Sequence, residues 1–365
     1  MRVAFLMNGM TGYLDAEFRQ LHKLGNTLLV VSPGREAGFE AMQDTAFEGL
    51  ATEDYAQVVG WQTPPKPAEL VKLVSDFRPD AVIMTSWNFT PAYRAVMKAV
   101  PAGVVRMLIM DNLWRAAPKQ WLGRLVSRFY VRPVADAALV PSDRSDFYAR
   151  RLGFGPADIV RGSLSCDVEL FAAGPHSADE FARRRSFIYV GRLVHHKGAD
   201  VLADAYRRYR ELADDPWDLD VVGIGPFEPA LRDQPGVHMH GFQQPARVAQ
   251  LMAAAGCLVV PSRIEPYGVV VHEGVTAGLP VLCTDFAGAV AAFVQDGYNG
   301  WQVPTGDVEA WARTMARVSS LPPQRLAAMS IVSRALSTRL SPAGWAQNLH
   351  DEIERRRAAG GGRLS

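Results

Sequence analysis

The chain has 365 residues, a length more typical of two domains than of one. Its 48% hydrophobic and 21% charged residues are those of a globular protein and exclude a disordered, collagen-like or coiled-coil chain. Lys and Arg total 39 against 38 Asp and Glu, a formal net charge of +1, so no overall positive field favours nucleic acid as a partner.

The cysteines and the apolar runs limit the class of protein further. Cys166, Cys257 and Cys283 lie far apart and in no Cys-x-x-Cys spacing, so we expect buried free thiols, not disulfides or a zinc site. The apolar run at residues 3–7 is too short for a signal peptide and indicates a first buried strand. No uncharged apolar run reaches about 18 residues, so we expect no membrane-spanning helix.

Short apolar runs alternate with amphipathic stretches, which predicts an α/β fold with parallel sheets. The predicted strands are residues 3–7, 27–31, 81–85, 104–110, 137–140, 187–190, 219–222, 237–239, 257–260 and 281–284. The series pauses between residues 140 and 187, where glycines and prolines interrupt a polar stretch. We therefore expect one domain at residues 1–170, a second at 171–340, and a helix and tail at 341–365 that pack back toward the first domain.

Polar or glycine-rich loops follow three strands of the first half. The loop NGMTG after the first strand contains Gly9 and Gly12, which would let a phosphate approach the backbone; an ordinary strand-to-helix turn is the alternative. Gly-x-Gly-x-x-Gly is absent, so this loop is not a dinucleotide fingerprint. Asn88, Asp111 and Asn112 follow two later strands and are candidate sugar or acceptor contacts, with simple loop capping as the alternative.

A basic amphipathic segment runs from Arg115 to Arg132 without an acidic residue. Its cations alternate with large apolar side chains, among them Trp121, Leu125 and Phe129. Such a helix suits the surface of an anionic membrane. A helix that covers the sheet with its apolar face in the core fits the same pattern, and the sequence leaves both interpretations open.

Two segments of the second half place charged residues directly after predicted strands. FIYVGRLVHHKG at residues 187–198 puts Gly191, Arg192 and Lys197 after one strand. PSRIEPYGVVVHE at residues 261–273 follows another, and Gly268 would begin a helix whose unpaired N–H groups attract an anion. Glu273, inside that helix, could accept hydrogen bonds from a vicinal diol.

These segments resemble the signature of the retaining glycosyltransferases of family four, which have the GT-B fold. The resemblance rests on Glu265 and Glu273 with seven residues between them, on AGLPV at residues 277–281, and on the Gly-Arg-Leu and Lys-Gly pairs of residues 191–198. It extends over most of residues 135–310, although LSCD replaces the usual Asn-Gly-Val-Asp at residues 164–167. It implies two Rossmann-like doubly wound domains that face a central cleft.

The resemblance also implies roles for individual residues. Arg192, Lys197 and Glu265 would be catalytic, the two cations by stabilising the diphosphate that leaves. The donor-binding set would comprise Gly9, Gly12, Gly191, Gly225, Gly241, Phe242, Tyr267, Gly268, Val269, Val270 and Glu273. The histidine that many members place after a central N-terminal strand is missing, and Asp111 or Asn112 stands at the matching position.

The implied activity is a retaining, metal-independent hexosyl transfer in glycan biosynthesis. The donor would be a nucleoside diphosphate sugar, UDP first and GDP next, and the acceptor a hydroxyl of a glycan, a lipid-linked or a small molecule. The alternatives are a sugar-nucleotide epimerase on the same fold and a non-catalytic subunit that binds nucleotide sugar. The expected location is the cytoplasm, at the inner face of the plasma membrane if the Arg115–Arg132 segment contacts lipid.

We expect neither a metal nor any other cofactor. His195 and His196 are neighbours in sequence, and on regular structure they would point to different faces. His238 and His240 could share a strand face, but no third ligand stands near them in the sequence.

Overall fold

The computed structural model describes residues 1–34, 52–86, 90–172 and 176–360. These form two compact units: Met1–Ser165 with the segment from Leu340 onward, and Cys166–Arg339. The chain thus passes between units at 165/166 and 339/340, close to the expected 170/171 and 340/341.

The first unit is built on a seven-stranded parallel sheet in the order β3-β2-β1-β4-β5-β6-β7. Its strands are β1 Arg2–Leu6, β2 Thr27–Pro33, β3 Ala56–Trp61, β4 Ala81–Thr85, β5 Val105–Ile109, β6 Ala137–Val140 and β7 Ile159–Arg161. Strand order reverses between β1 and β4, which makes the carboxyl ends of these two strands a natural ligand position.

The second unit is built on a six-stranded parallel sheet in the order β10-β9-β8-β11-β12-β13. Its strands are β8 Ser186–Val190, β9 Asp218–Val222, β10 Val237–Gly241, β11 Cys257–Val260, β12 Val281–Thr284 and β13 Gly300–Val303. The order reverses between β8 and β11, and the two signature segments follow these strands.

The α/β fold class predicted from the sequence is confirmed, and all ten predicted strands are present. Central strands such as β4 and β12 are buried along their whole length, because helices cover both faces of a parallel sheet. The sequence analysis missed β3, β7 and β13. Strand β3 is half-exposed at the sheet edge, and strand β13 contains Trp301 and Gln302, so neither strand is a continuous apolar run.

Helices surround both sheets. In the first unit they are α1 Gly12–Lys23, α2 Thr52–Tyr55, α3 Pro67–Phe77, α4 Pro91–Ala99, α5 Pro118–Tyr130, α6 Asp143–Arg151 and, at the carboxyl end, α16 Pro342–Ala358. In the second unit they are α7 Val168–Phe171, α8 Ala178–Arg183, α9 Ala199–Leu212, α10 Glu228–Arg232, α11 Pro245–Ala254, α12 Val269–Thr276, α13 Val290–Phe293, α14 Val308–Ser319 and α15 Pro323–Ser337. Within the described ranges no helix has the length and apolar character to cross a membrane.

The carboxyl-terminal helix α16 packs on α1 in the first unit. The Trp345 ring lies 6.4 Å from the ring of Phe5 and 6.1 Å from that of Phe18. On the same helix, the fully buried Arg356 pairs with Asp158 at 3.3 Å and with Glu352 at 2.6 Å. A segment distant in sequence therefore completes the core of the first unit.

Candidate functional site

Four neighbouring strands of the second unit carry the predicted donor residues other than Gly9 and Gly12 at or after their carboxyl ends. Parallel strands end at the same edge of a sheet, so loops after β10, β9, β8 and β11 lie side by side. Backbone hydrogen bonds join the first three: Gly191 N–H donates to Val222 O at 2.9 Å, and Gly223 N–H donates to Gly241 O at 2.8 Å. Gly225 lies in the β9 loop beside them.

Gly223 makes the closest backbone approach in this region. Its φ is 143°, and a Cβ atom there would lie 1.9 Å from the carbonyl oxygen of Gly191. Only glycine fits such a position. The sequence analysis did not select Gly223 as a site residue. The Gly-x-Gly of residues 223–225, directly after β9, is the signal that could have identified it.

A partly buried ion pair joins the two signature segments. Lys197, in the short 3₁₀ turn before α9, places its Nζ 2.8 Å from Oε2 of Glu265, in the loop between β11 and α12. The Glu265 side chain is 6% exposed and that of Lys197 is 24% exposed. Ser262 Oγ donates to the same carboxylate oxygen at 3.0 Å, a contact that the sequence analysis missed. The structure therefore brings two predicted catalytic residues together.

Arg192 stands beside this ion pair in a cationic cluster. Its Nη2 lies 3.3 Å from Nε2 of His196. Burial, and then the positive charges of Arg192 and Lys197, lower the pKa of His196, so a neutral ring accepts the hydrogen bond. The Tyr189 hydroxyl donates to the backbone carbonyl of Arg192 at 2.8 Å. Burial and the negative charge of Glu265 raise the pKa of Tyr189 above the ordinary tyrosine range.

Gly268 forms the turn that leads into helix α12. Its φ is 93°, and a Cβ atom would lie 2.9 Å from Cγ of Glu265. The N–H groups of Val269 and Val270 belong to the first helical turn, which has no carbonyl partner within the helix. With the helix dipole they form a position that favours an anion close to Glu265.

The remaining predicted donor residues differ in exposure. Phe242 is 39% exposed after β10, and Glu273 is half-buried on α12. Tyr267 is only 3% exposed, and its carbonyl accepts from Ala289 N–H at 2.8 Å. Its phenol lies in the protein interior.

The predicted residues of the first unit also follow strand ends. Gly9 lies after β1, and Gly12 begins α1 behind the N-cap Thr11. Asp111 and Asn112 follow β5, with Asn112 Nδ2 3.2 Å from Asp111 Oδ1. Asn88, also predicted as a sugar or acceptor contact, lies outside the described residues.

The histidine pairs considered for a metal make other contacts. His238 Nε2 lies 3.2 Å from Asp218, and His240 Nε2 lies 2.7 Å from Asp220, both across β10 and β9. In the part of the chain that the structure describes, no group of three or more His, Cys, Asp or Glu side chains is arranged to hold a metal ion.

The arrangement in the second unit suits a phosphorylated ligand. Two cations and the start of a helix can neutralise charge on a diphosphate, and the glycine loops leave room for it to approach the backbone. Carboxylates at Glu265 and Glu273 are acceptors suited to hydroxyl groups.

Comparison with known proteins shows similarity to glycosyltransferases. Residues 184–320 match the family model described as "Glycosyl transferases group 1". A protein named for colanic acid biosynthesis, the glycosyltransferase WcaL of Escherichia coli K12, is 30% identical over 207 residues. That match covers 52% of this chain, and the chain spans about half, 50%, of the relative's length.

Solved structures share the whole fold. HepE of Anabaena, determined in complex with UDP-glucose, superposes with a TM-score of 0.76 at 17% identity, over 97% of this chain and 100% of that one. WaaG, a glycosyltransferase involved in lipopolysaccharide biosynthesis, superposes with a TM-score of 0.69 at 18% identity, over 96% and 99%. The predicted GT-B architecture of two doubly wound units is confirmed.

Proposed function

We propose that this chain is a retaining, metal-independent glycosyltransferase that moves a hexosyl unit from a nucleoside diphosphate sugar to an acceptor hydroxyl. The observation that carries the proposal is the partly buried Lys197–Glu265 pair of 2.8 Å, set beside Arg192 and the start of α12. This is a ready site for a diphosphate, and it occupies the segment that matches glycosyltransferases.

The residues divide the work in the following way. Lys197, Arg192 and the N–H groups of Val269 and Val270 stabilise the negative charge that develops on the diphosphate as its bond to the sugar breaks. In this proposal Glu273 accepts hydrogen bonds from the ribose hydroxyls, and Gly241 and Phe242 contact the nucleobase. These cations supply the charge stabilisation that a divalent metal supplies elsewhere, which is the reason for proposing a metal-independent reaction.

The transfer retains configuration when the acceptor oxygen attacks the anomeric carbon from the face that the diphosphate leaves. The new carbon–oxygen bond forms as the bond to the phosphate oxygen breaks, and the acceptor proton passes to that freed oxygen. Glu265 lies near the sugar in this arrangement and, already paired with Lys197, acts by charge and hydrogen bonding.

We propose a uridine diphosphate sugar as the donor, with a guanosine diphosphate sugar next. The support is the solved complex of HepE with UDP-glucose on the same fold. The acceptor is proposed to be a hydroxyl of a glycan, of a lipid-linked molecule or of a small molecule. The names of WcaL and WaaG, which give colanic acid and lipopolysaccharide biosynthesis, support this class.

The test is a thermal-shift and hydrolysis screen of the purified chain against UDP-, GDP-, ADP- and dTDP-glucose, with and without EDTA. A ligand that binds only the folded state raises the unfolding midpoint, so the true donor class should stand out. Slow release of free nucleoside diphosphate in EDTA supports the metal-independent transfer. A midpoint shift without any turnover, with acceptors present, favours the non-catalytic binding subunit.

A further inference from the structure

Helix α5 of the first unit turns its large apolar side chains outward. Leu122, Leu125 and Phe129, at helical spacings of three and four, are 60%, 77% and 72% exposed. The buried positions of the helix are instead the small residues Gly123 and Ser127, and Ser127 Oγ donates to the Leu152 carbonyl. The open question of the sequence analysis is thus answered: the apolar face of this segment is not in the core.

Basic side chains surround this apolar face. Arg115, Lys119, Arg124 and Arg128 are all exposed, and none pairs with an acidic side chain among the residues that the structure describes. The sequence holds no Asp or Glu between positions 112 and 135. The guanidinium of Arg124 lies 5.3 Å from the Trp121 ring and thus at the border of the apolar face.

A cavity of about 460 Å³ opens beside the helix. Four arginines line this cavity: Arg124, Arg128, Arg132 and Arg151. The rest of the lining comes from Leu125, Ser127, Leu152 and Gly153. Arg132 is held by Asp158 at 3.0 Å, and Arg151 stacks 4.3 Å from the ring of Phe147, itself 49% exposed on α6. Positive charge and exposed apolar surface therefore continue from α5 onto α6.

We propose that the α5 surface, formed by α5 with Phe147 and Arg151, docks on a membrane that contains anionic lipids. Leu122, Leu125 and Phe129 enter the boundary between headgroups and acyl chains, and the arginine-lined cavity receives a lipid headgroup phosphate. A second copy of this chain would bring two positive surfaces together, so charge complementarity favours an anionic partner. A single amphipathic helix with its apolar side outward matches a flat lipid surface.

The proposal does not depend on the donor site, because membrane binding is measured without nucleotide sugar. The full chain is sedimented with vesicles of phosphatidylglycerol and phosphatidylcholine in equal parts, and with vesicles of phosphatidylcholine alone. We expect binding to the anionic vesicles only, weakened by rising salt because headgroup charges are screened.

Two double variants separate the apolar and the charged contributions. Leu125→Gln with Phe129→Gln, and Arg124→Gln with Arg128→Gln, should each weaken vesicle binding by about tenfold, since each pair removes two apolar contacts or two cations from the lipid surface. The controls, Ile331→Gln and Arg207→Gln with Arg313→Gln, change exposed side chains of the second unit and should bind as the parent does.

All positions in these variants are exposed, so unfolding midpoints should stay close to that of the parent. Failure of the parent chain to bind anionic vesicles would overturn the proposal, as would equal binding to neutral vesicles or equal losses in the control variants. A concentration-dependent dimer that Leu125→Gln with Phe129→Gln abolishes would assign the surface to a second copy instead.

Discussion

The two units share an architecture but differ in what their strand ends carry. In the second unit, a Cβ atom at Gly223 would collide with the Gly191 backbone and one at Gly268 would crowd the Glu265 side chain. Lys197 and Glu265 form a partly buried ion pair between two of these loops. In the first unit, strand-end Asn112 is exposed. The most distinctive feature of the first unit is a helix surface, with Leu125 exposed among cations.

The difference shows two ways in which a fold can hold function. A site for a small charged ligand requires close backbone approach and paired charges, so it fixes residue types at fixed spacings. A broad contact surface requires only an apolar face bordered by one sign of charge, which many sequences satisfy. The following variants test whether this division of roles between the units holds.

The largest effect is expected at Lys197. Lys197→Ala removes a cation proposed to meet the developing diphosphate charge and leaves Glu265 buried without its partner, so turnover should fall by about 10²–10³-fold. Transfer or donor hydrolysis gives the rate, and circular dichroism checks the fold. Lys98→Ala, an exposed lysine on α4 of the first unit, is the matched control. Unchanged turnover in Lys197→Ala would remove the site from the second unit.

A smaller effect is expected at Gly268. In Gly268→Ala the new Cβ meets Glu265 Cγ in a left-handed backbone, which should cost on the order of 1–3 kcal/mol and weaken donor binding. Gly25→Ala in the first unit has a φ of 81° but open space around the new atom, so it should lose stability without loss of donor affinity. Urea unfolding and donor titration are the measurements. Equal loss of donor affinity in both variants would contradict the local role of Gly268.

A third effect concerns pH, and it should have opposite signs in the two units. Glu17 on α1 is fully buried, and Ser165 donates to its Oε1 through N–H at 2.8 Å and Oγ at 3.1 Å. Burial raises the pKa of Glu17 to about 8, partly offset by these hydrogen bonds. In the unfolded chain this carboxyl has a pKa near 4.5. The free energy of unfolding of the first unit therefore decreases between pH 4.5 and pH 8, by at most about 1.4 kcal/mol per pH unit.

In the second unit, burial lowers the pKa of His272 to about 4, and its Nδ1 accepts from Cys166 N–H while its Nε2 donates to Ser337 O. Its contribution to stability is complete above the unfolded pKa of 6.5 and is lost as pH falls toward 4. Hydrogen exchange, corrected for intrinsic rates, should show opposite trends in the two units between pH 5 and about 7. Glu17→Gln keeps the acceptor and should flatten the trend of the first unit only; a trend that survives would refute the assignment to Glu17.

The fold and much of the candidate site were predictable because local sequence rules state them directly. Buried parallel strands such as β4 are short apolar runs, and glycines and charges after strands mark loops at the carboxyl edge. The edge strand β3 escaped because a half-exposed strand has no continuous apolar run. Ser262 and Tyr189 escaped because their hydrogen bonds, to Glu265 and to the Arg192 carbonyl, depend on side-chain orientation that no spacing reveals.

The sequence by itself determined the α/β class, ten of the thirteen strands that the structure describes and the residue types at the strand ends of the second unit. Tertiary structure alone decided that Lys197 meets Glu265, 68 positions away, because strand order places β8 beside β11. It also decided which way α5 faces. The pattern of an amphipathic helix fixes which residues share a face, but only the packing of Gly123 and Ser127 against the first unit determines whether that face meets core or solvent.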